Sequence, residues 1–398
     1  PPAAGLPARQ PLLRPKRRLQ RGERIGMNAR ERLFAVLNGD PVDHVPIWLL
    51  FPYHRTSYYS DVRNEPSYLP VFEASKKYAI MLNRRNPRVS TFSPEVKTWQ
   101  EVFIDHGDEV QRSYMEYRGK RIFSEIRKQK YNTQVKKLLE TDQDLEFFCS
   151  LPVNLDPNRI SAELNEYLPI YKQEVSEFPI EYGSMMLDLG EPVGQLYSIS
   201  KLEEYAVWSL THPDLITDFF DRIMQQKRLV YRYFLERKLA DVYFLVGSEL
   251  ASPPLVSRKT FQRWIVPYAS ELISMIHAYG AKVIQHYHGM IKQILPDFLT
   301  MQPDALHTIE APPVGNCTFT EAYQIVKDKI VLIGNIQYDD FRSFTPDQMA
   351  QAVLAVLDEC RGKRLILSPS AGPYEPVISR RVANNYLIFM QTAWNYQV

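Results

Sequence analysis

Two histidines that lie two positions apart are the clearest candidates for chemistry in this sequence. The apolar run KVIQ is followed directly by His286, Tyr287 and His288. Alternate side chains of an extended strand point to the same side, so His286 and His288 can present both imidazoles to one ligand. Two imidazoles and a carboxylate from a neighbouring strand form a catalytic zinc site with one open position. The pair therefore indicates either a divalent metal site or imidazoles that hydrogen-bond a substrate.

Other apolar runs also end in polar residues. These are Gly247-Ser248-Glu249 after VYFLV, Glu310 after ALHTI, Gly334-Asn335 after IVLI, and Ser368-Pro369-Ser370 after RLIL. We interpret Glu249 and Glu310 as metal ligands or general bases, and Ser370 as a further catalytic candidate. The alternative for either glutamate is an ion pair with Arg55 or Arg380.

The elements that must position these residues follow an alternating pattern. Short apolar runs alternate with amphipathic segments, which is typical of repeated β-α units and a parallel sheet. Helices are expected at 201–208, 213–238, 258–279 and 346–360, with Thr211 as the start signal of the second and Thr345 as the N-cap of the last. Candidate strands lie at 45–50, 88–92, 182–187, 241–246, 282–286, 305–309, 330–333 and 364–367. Eight strands predict an α/β fold of the (β/α)₈ TIM barrel type, whose active groups lie at the C-terminal ends of the strands.

Two segments depart from this alternation. Residues 98–130 are typical of two or three antiparallel strands with glycine turns, and we interpret them as an inserted β-hairpin near the barrel mouth. Residues 1–26 contain seven basic residues, one acidic residue and no periodic apolar pattern. We expect them to be a disordered basic extension, with Met27 as the natural start of one barrel domain over 27–398.

Composition excludes several classes of protein. Without residues 1–26 the chain is mildly acidic, which gives no general electrostatic reason to bind nucleic acid or an anionic membrane. No apolar run is long enough to predict a membrane-spanning helix. The three cysteines, Cys149, Cys317 and Cys360, are widely spaced, which fits a reducing compartment and excludes a disulfide framework. We therefore expect a cytoplasmic protein.

Five segments resemble the uroporphyrinogen decarboxylase superfamily. They are NARERLFAVLNGDPVDHVPIW (28–48), LEEYAVWSLTHPDLITDFF (202–220), the stretch 252–289, VLIGNI (331–336) and LILSPSAGP (365–373). The resemblance covers nearly the whole chain from Asn28 onwards. It implies the barrel fold and an enzyme, and it leaves open which reaction of the superfamily is catalysed.

The haem-pathway decarboxylases of this superfamily carry an arginine-rich PVWxMRQAGR-type segment and an FSD-type aspartate. In this sequence Arg55 matches the second arginine, but Phe51 replaces the first. The best match to the FSD element is Phe92-Ser93-Pro94, with proline in place of the aspartate. The resemblance therefore argues against uroporphyrinogen as substrate. We take Trp48, Arg55 and Asn335 as substrate-binding candidates.

The cobalamin-linked methyltransferase branch is the closer resemblance. Its zinc is held by an HxC pair and a late cysteine, whereas this sequence has His286 and His288 at the pair and no cysteine in 368–371. Imidazole and oxygen ligands would make a harder centre of zinc or another divalent metal. The leading hypothesis is a metal-assisted methyltransferase, with a corrinoid on a partner protein as methyl donor.

Two other hypotheses stay open. The first is a metal-free decarboxylase or lyase that acts on a tetrapyrrole or another cyclic carboxylate, and the second is a non-catalytic corrinoid- or tetrapyrrole-binding protein. The substrate would be a small molecule or a corrinoid protein. Relatives are often dimers, so a homodimer is a further expectation.

Overall fold

Strands and helices alternate along most of the chain. The structure, a computed structural model, describes residues 26–397. Its strands are β1 (Met81–Arg85), β2 (Lys97–Asp105), β3 (Asp108–Tyr117), β4 (Lys120–Lys128), β5 (Thr133–Lys136), β6 (Gly183–Leu187), β7 (Val242–Leu245), β8 (Lys282–His286), β9 (Ala305–His307), β10 (Val331–Ile336) and β11 (Leu365–Pro369). Its α-helices are α1 (Ala29–Asn38), α2 (Leu69–Tyr78), α3 (Asp142–Ser150), α4 (Pro157–Glu177), α5 (Leu202–Thr211), α6 (Pro213–Glu236), α7 (Arg258–Trp264), α8 (Val266–Ala278), α9 (Leu295–Met301), α10 (Phe319–Val326), α11 (Tyr338–Ser343), α12 (Pro346–Glu359) and α13 (Arg380–Asn395).

Seven strands form one parallel sheet in the order β1-β6-β7-β8-β9-β10-β11. Both edges of this sheet are hydrogen-bonded to the same short segment. Ile47 pairs with Leu367 on β11, and Trp48 pairs with Ile80 next to β1. The Trp48 amide donates to the Leu367 carbonyl at 2.9 Å, and the Ile80 amide donates to the Ile47 carbonyl at 2.7 Å. The sheet is therefore curled in the manner of a TIM-like barrel.

The predicted strand at 45–50 is present only as the bridges of Ile47 and Trp48, and the predicted strand at 88–92 is wrong. Residues 88–92 contain only a single bridge, at Phe92, and the strand of this unit is β1. β1 has the sequence MLNRR, and all five of its residues are buried. β1 is not an apolar run, so the sequence pattern does not reveal it. Its polar side chains can be buried because partners elsewhere in the chain neutralise them. Arg84 pairs with Asp188, and Arg85 pairs with Glu174.

The helices follow the predicted pattern with two differences. Thr345 caps α12 as expected, because its side chain accepts a hydrogen bond from the Gln348 amide. The predicted helix 258–279 is divided into α7 and α8, with Pro267 in the first turn of α8, where a missing amide proton is tolerated. The N-cap of α6 is His212 rather than Thr211, and its side chain makes no capping hydrogen bond.

Residues 97–136 form a separate antiparallel sheet of four strands, in the order β2-β3-β4-β5. The sequence predicted two or three strands here. The turn between β2 and β3 contains Gly107, and the turn between β3 and β4 contains Gly119, both with positive φ. Thr98 pairs with Met115, which in turn pairs with Ile122, so these three side chains share one face of the sheet.

Apolar residues pack on both sides of the parallel sheet. Inside the barrel, Trp48, Phe244, Ile284 and Ile366 belong to one buried cluster. A larger cluster fills the space between the strands and the surrounding helices. In the part of the chain from 26 to 397, none of the helices has the length and apolar character needed to cross a membrane. The predicted extension at 1–26 lies, apart from Gly26, outside the described residues.

Candidate active site

A cavity of about 540 Å³ opens at the C-terminal ends of the parallel strands. Its lining includes Arg84 near the end of β1, Asp188 directly after β6, Gly247 after β7 and His286 at the end of β8. The polar residues that end neighbouring strands therefore share one cavity, as expected for a barrel of this type. We call this cavity the mouth cavity.

His286 is held by a second histidine on the neighbouring strand. His286 and His307 are in register across β8 and β9, and their Nδ1 atoms are 2.6 Å apart. His307 Nε2 lies 3.1 Å from the carbonyl oxygen of Pro369, which can only accept a hydrogen bond, so His307 Nε2 carries the proton. His307 Nδ1 is then the acceptor and His286 Nδ1 the donor. This arrangement leaves Nε2 of His286 as an unprotonated nitrogen.

Both of these imidazoles are neutral near pH 7. Burial lowers the pKa of His307 to about 3, although its hydrogen bond to Pro369 acts in the opposite direction. Burial also lowers the pKa of His286 well below its ordinary value, and the positive charges of His288 and Arg84 lower it further. His286 and His307 therefore form a neutral pair, and the tautomer of each ring is fixed.

His288 has the opposite character. Its Nδ1 lies 3.3 Å from Oε2 of Glu310, which also accepts a 2.7 Å hydrogen bond from the Gly289 amide. Burial alone would lower the pKa of His288, but the hydrogen bond and charge of Glu310, with the charge of Glu249, raise it overall. Burial would raise the pKa of Glu310, but His288 and Gly289 lower it overall. The two residues therefore form an ion pair next to neutral His286.

Arg84 brings a buried cation to the mouth cavity. Its Nη2 lies 2.6 Å from Oδ2 of Asp188, and its guanidinium lies 4.7 Å from the ring centre of Tyr58 and 5.1 Å from that of Phe244. Arg84 is 8% exposed, and its Nε has no hydrogen-bond partner among the described residues. An unpartnered buried donor beside a cavity is a ready contact for a bound anion.

Three more ionisable groups line the cavity. Glu191 accepts a 2.5 Å hydrogen bond from the Ser248 hydroxyl, and burial raises its pKa to about 7. Lys227 donates to the Leu189 carbonyl at 2.5 Å, and burial lowers its pKa to about 8. Burial also raises the pKa of Glu249, whose Oε2 accepts a 2.8 Å hydrogen bond from the Gly247 amide. The cavity thus contains acids and bases that can exchange protons near neutral pH.

The backbone at Gly247 leaves no room for a side chain. Its φ is +102°, and a Cβ atom at this position would lie 2.7 Å from the Tyr197 hydroxyl. Glycine is required both by this left-handed conformation and by the close approach of the tyrosine.

The predicted site residues divide into two groups. His286, His288 and Glu249 line the mouth cavity, and Glu310 contacts His288. The other four candidates do not line it. Trp48 packs between Phe244 and His307 inside the barrel, Ser370 donates to the Gln337 side chain at 3.1 Å, Asn335 lies on β10, and Arg55 is exposed.

The expected inward position of Arg55 needs correction. Its side chain is exposed, and the cations that line the mouth cavity are Arg84, Arg88, Lys227 and His288. Arg84 could not be identified from the sequence because β1 was not predicted. His307 was not selected because it lies within a predicted buried strand. The position of Arg84 at a strand end would have identified it once the strand was known. Phe92-Ser93-Pro94 does not line the mouth cavity either.

The described residues do not offer a complete metal site. The ring centres of His286 and His288 are 4.5 Å apart, and each ring is hydrogen-bonded through Nδ1, which leaves Nε2 available. Within residues 26–397, however, no three His, Cys, Asp or Glu side chains are grouped so that they could hold a metal ion. A metal at His286 and His288 stays a prediction of the sequence.

Comparison with known families supports the resemblance seen in the sequence. Residues 192–378 match the model of the family described as uroporphyrinogen decarboxylase (URO-D). The matched region contains β7 to β11, and with them His286, His288 and Glu310. Over these residues, a little under half of the chain, the sequence is similar to the uroporphyrinogen decarboxylase family. No curated protein has a significant sequence match to the chain.

Two solved structures have a similar fold. A methyltransferase from Methanosarcina mazei matches with a TM-score of 0.54 and 14% sequence identity, over 92% of this chain and 98% of that one. A B12-independent methionine synthase from Shewanella sp. W3-18-1, in complex with selenomethionine, matches with a TM-score of 0.43 and 10% identity, over 88% of this chain and 96% of that one. The first of these likenesses shows a shared fold.

Proposed function

We propose that this chain is an enzyme that transfers a methyl group from a corrinoid on a partner protein to a small anionic acceptor bound in the mouth cavity. The observation that carries the proposal is that two cations, Arg84 and His288, line the same cavity as Glu249, a carboxyl group with a raised pKa. The match to the uroporphyrinogen decarboxylase family and the fold shared with a methyltransferase support it.

The first step is binding of the acceptor. Arg84 Nε is buried without a partner, and a carboxylate of the acceptor would supply the missing hydrogen-bond acceptor. Asp188 neutralises part of the Arg84 charge and holds the guanidinium in place. Charge-assisted hydrogen bonds of this kind contribute about 1.5 to 3 kcal/mol each.

The second step is activation of the acceptor. A bound metal ion would supply this chemistry by stabilising the deprotonated acceptor. Here charged His288 supplies a positive charge at a site where no third metal ligand is present among residues 26–397. The cation lowers the pKa of the acceptor's thiol, amine or hydroxyl group, and Glu249 takes the proton. The new bond forms between the acceptor and the methyl carbon, while the bond from the methyl carbon to the donor breaks.

His286 and His307 have a supporting role in this scheme. Because both are neutral, they add no second positive charge beside His288. Nε2 of His286 is a fixed hydrogen-bond acceptor beside the charged ring of His288. It can therefore orient the proton of the acceptor before that proton passes to Glu249.

A metal-free decarboxylase is the second candidate. The observation that favours it is the group of cations that line the mouth cavity. Arg84, Arg88 and Lys227 could together bind a ring that carries carboxylate groups. In that reaction the bond to the carboxyl carbon breaks, carbon dioxide leaves, and charged His288 donates a proton to the carbon atom.

Methylcobalamin provides a direct test. The full chain is incubated with methylcobalamin and a panel of small thiol, amine and hydroxy carboxylates, and the loss of methylcobalamin is followed by its visible absorbance. We expect at least one acceptor to be methylated, with a rate that falls at least 100-fold in His288→Gln and in Glu249→Gln. His106→Gln is the matched control, because His106 is 93% exposed on the antiparallel sheet. Release of carbon dioxide from cyclic carboxylates without any loss of methylcobalamin would favour the decarboxylase instead.

A further inference from the structure

Three cavities run together from the barrel mouth to the antiparallel sheet. The mouth cavity shares Arg88, Gln195 and Ser198 with a second cavity of about 440 Å³, which we call the passage. The passage shares Thr98, Met115, Leu138, Ser198 and Ile199 with a third cavity of about 580 Å³, which we call the groove. Ser198 lines all three cavities, which therefore lie next to one another, and we take them as one cleft.

The chemistry of the cleft changes along its length. The mouth cavity is lined by charged groups, as described above. The passage has apolar walls at Phe92 and Phe148. It also contains Ser93 Oγ and Arg159 Nη1, which are buried and have no hydrogen-bond partner among the described residues. The passage is therefore suited to an apolar chain that carries one polar group.

The groove is the apolar end of the cleft. It lies between the 97–136 sheet and residues 198–199, and its walls include Met115, Ile126, Val135 and Leu138. Ile126 and Val135 are paired across β4 and β5, yet they are 38% and 58% exposed. Small side chains at Ser113 and Ser124, which are also paired, leave the hollow open beside them. Exposed apolar side chains that line a hollow are a common mark of a binding surface.

We propose that the substrate is an amphipathic acid whose anionic head lies in the mouth cavity, whose polar linker lies in the passage and whose apolar tail lies in the groove. The position of the head rests on the proposed function. The position of the tail rests on the continuity of the cleft alone. A tail of the same ligand is favoured over a separate partner because the passage shares lining residues with both the mouth cavity and the groove.

N-acylglycines combine a carboxylate, an amide and an alkyl tail, and they are suitable probes. Binding of hexanoyl-, octanoyl-, decanoyl- and dodecanoylglycine to the full chain is measured by calorimetry. We expect the affinity to rise about fourfold for each added CH₂ group, which corresponds to about 0.8 kcal/mol, until the groove is filled.

Two variants narrow the cleft where the passage meets the groove. Met115→Trp and Thr98→Trp should remove the dependence on chain length while they leave the affinity for the shortest probe within about twofold. Thr98 is exposed, so its replacement keeps the test available if Met115→Trp does not fold. Ile170→Trp is the matched control, because Ile170 is 59% exposed on α4 and lines none of the three cavities.

Arg84→Met separates this proposal from the proposed function. If the head binds in the mouth cavity, Arg84→Met weakens all four probes by a similar factor and leaves the dependence on chain length unchanged. A flat response to chain length in the wild-type chain would overturn the tail site, even if Arg84 still mattered. A dependence on chain length that Met115→Trp and Thr98→Trp leave intact would also overturn it, and the groove would then be a docking surface for another molecule. A dependence on chain length without any effect of Arg84→Met would support the tail site and contradict the position of the head.

Discussion

Arg84 and Asp188 form an ion pair that joins the ends of neighbouring strands β1 and β6, with 2.6 Å between Nη2 and Oδ2. Both side chains are about nine-tenths buried, so the loss of either partner leaves an uncompensated charge beside the mouth cavity. We expect Arg84→Met to lower the free energy of unfolding by about 3 to 5 kcal/mol, measured by chemical denaturation.

The double variant Arg84→Met/Asp188→Asn is the control for this prediction. It removes both charges and should recover most of the stability, because no buried charge is then left alone. Equal destabilisation in the single and double variants would mean that packing, rather than charge, sets the cost of replacing Arg84.

The ion pair of His288 and Glu310 gives stability a defined dependence on pH. The pKa of His288 is raised from 6.5 on folding. The contribution of its charged form to the free energy of unfolding is therefore complete below pH 6.5 and is lost as the pH rises through the folded-state pKa. The pKa of Glu310 is lowered from 4.5 on folding. The contribution of its carboxylate to the free energy of unfolding is therefore complete above pH 4.5 and is lost as the pH falls through the folded-state pKa. A double-mutant cycle with His288→Gln and Glu310→Gln should therefore give its largest coupling, about 1 kcal/mol, between these two limits. A coupling that is constant from pH 4 to pH 9 would contradict the ion pair.

The raised pKa of Glu191 predicts a stabilising substitution. A carboxyl group whose pKa rises from 4.5 to about 7 on folding favours the folded state less and less as the pH rises through this interval. Glu191→Gln, which keeps an acceptor for the Ser248 hydroxyl, should be close to neutral at pH 4.5 and should stabilise the chain by up to about 3 kcal/mol at pH 8. Thermal unfolding at the two pH values checks this. A variant that is less stable than the wild type at pH 8 would show that Glu191 is ionised and well paired.

Gly247 allows the steric and backbone costs of a glycine substitution to be separated. Gly247→Ala places a Cβ atom 2.7 Å from the Tyr197 hydroxyl at a φ of +102°. Gly280→Ala is the matched control, because its φ is +79° and nothing lies within 4 Å of the added atom. We expect Gly280→Ala to cost about 1 kcal/mol and Gly247→Ala clearly more. Tyr197→Phe in the Gly247→Ala background should recover the steric part. Equal costs at the two glycines would contradict the crowding at Tyr197.

The sequence predicts the barrel architecture better than it predicts the charged groups of the site. Strand ends such as His286 are easy to find because an apolar run directly precedes them, and the capping residue Thr345 follows from local geometry. β1 could not be found in the same way, because its buried polar residues are compensated by Asp188 and Glu174, which are distant in sequence. The same long-range pairing decides that Arg84, and not Arg55, lines the mouth cavity.

The protonation of the two candidate histidines could not be predicted from their spacing. His286 ends β8 and His288 lies two residues beyond it, yet one contacts a neutral histidine and the other a carboxylate. These contacts depend on the register of β8 with β9 and on the turn that carries Glu310. Tertiary structure therefore decides whether the two histidines are both neutral, as metal ligands must be, or whether one is charged and the other neutral.

The most direct test of the account is nitrogen-15 NMR of histidine-labelled protein from pH 5 to pH 9, with His286→Gln and His288→Gln used to assign the two signals. We expect His288 to be charged at pH 6.5 and to lose its proton only at higher pH, because Glu310 raises its pKa. We expect His286 to stay neutral over the whole range with its proton on Nδ1. A neutral His288 at pH 6.5, or a His286 that becomes charged in this range, would contradict the central claim that a charged histidine activates the acceptor beside a neutral one.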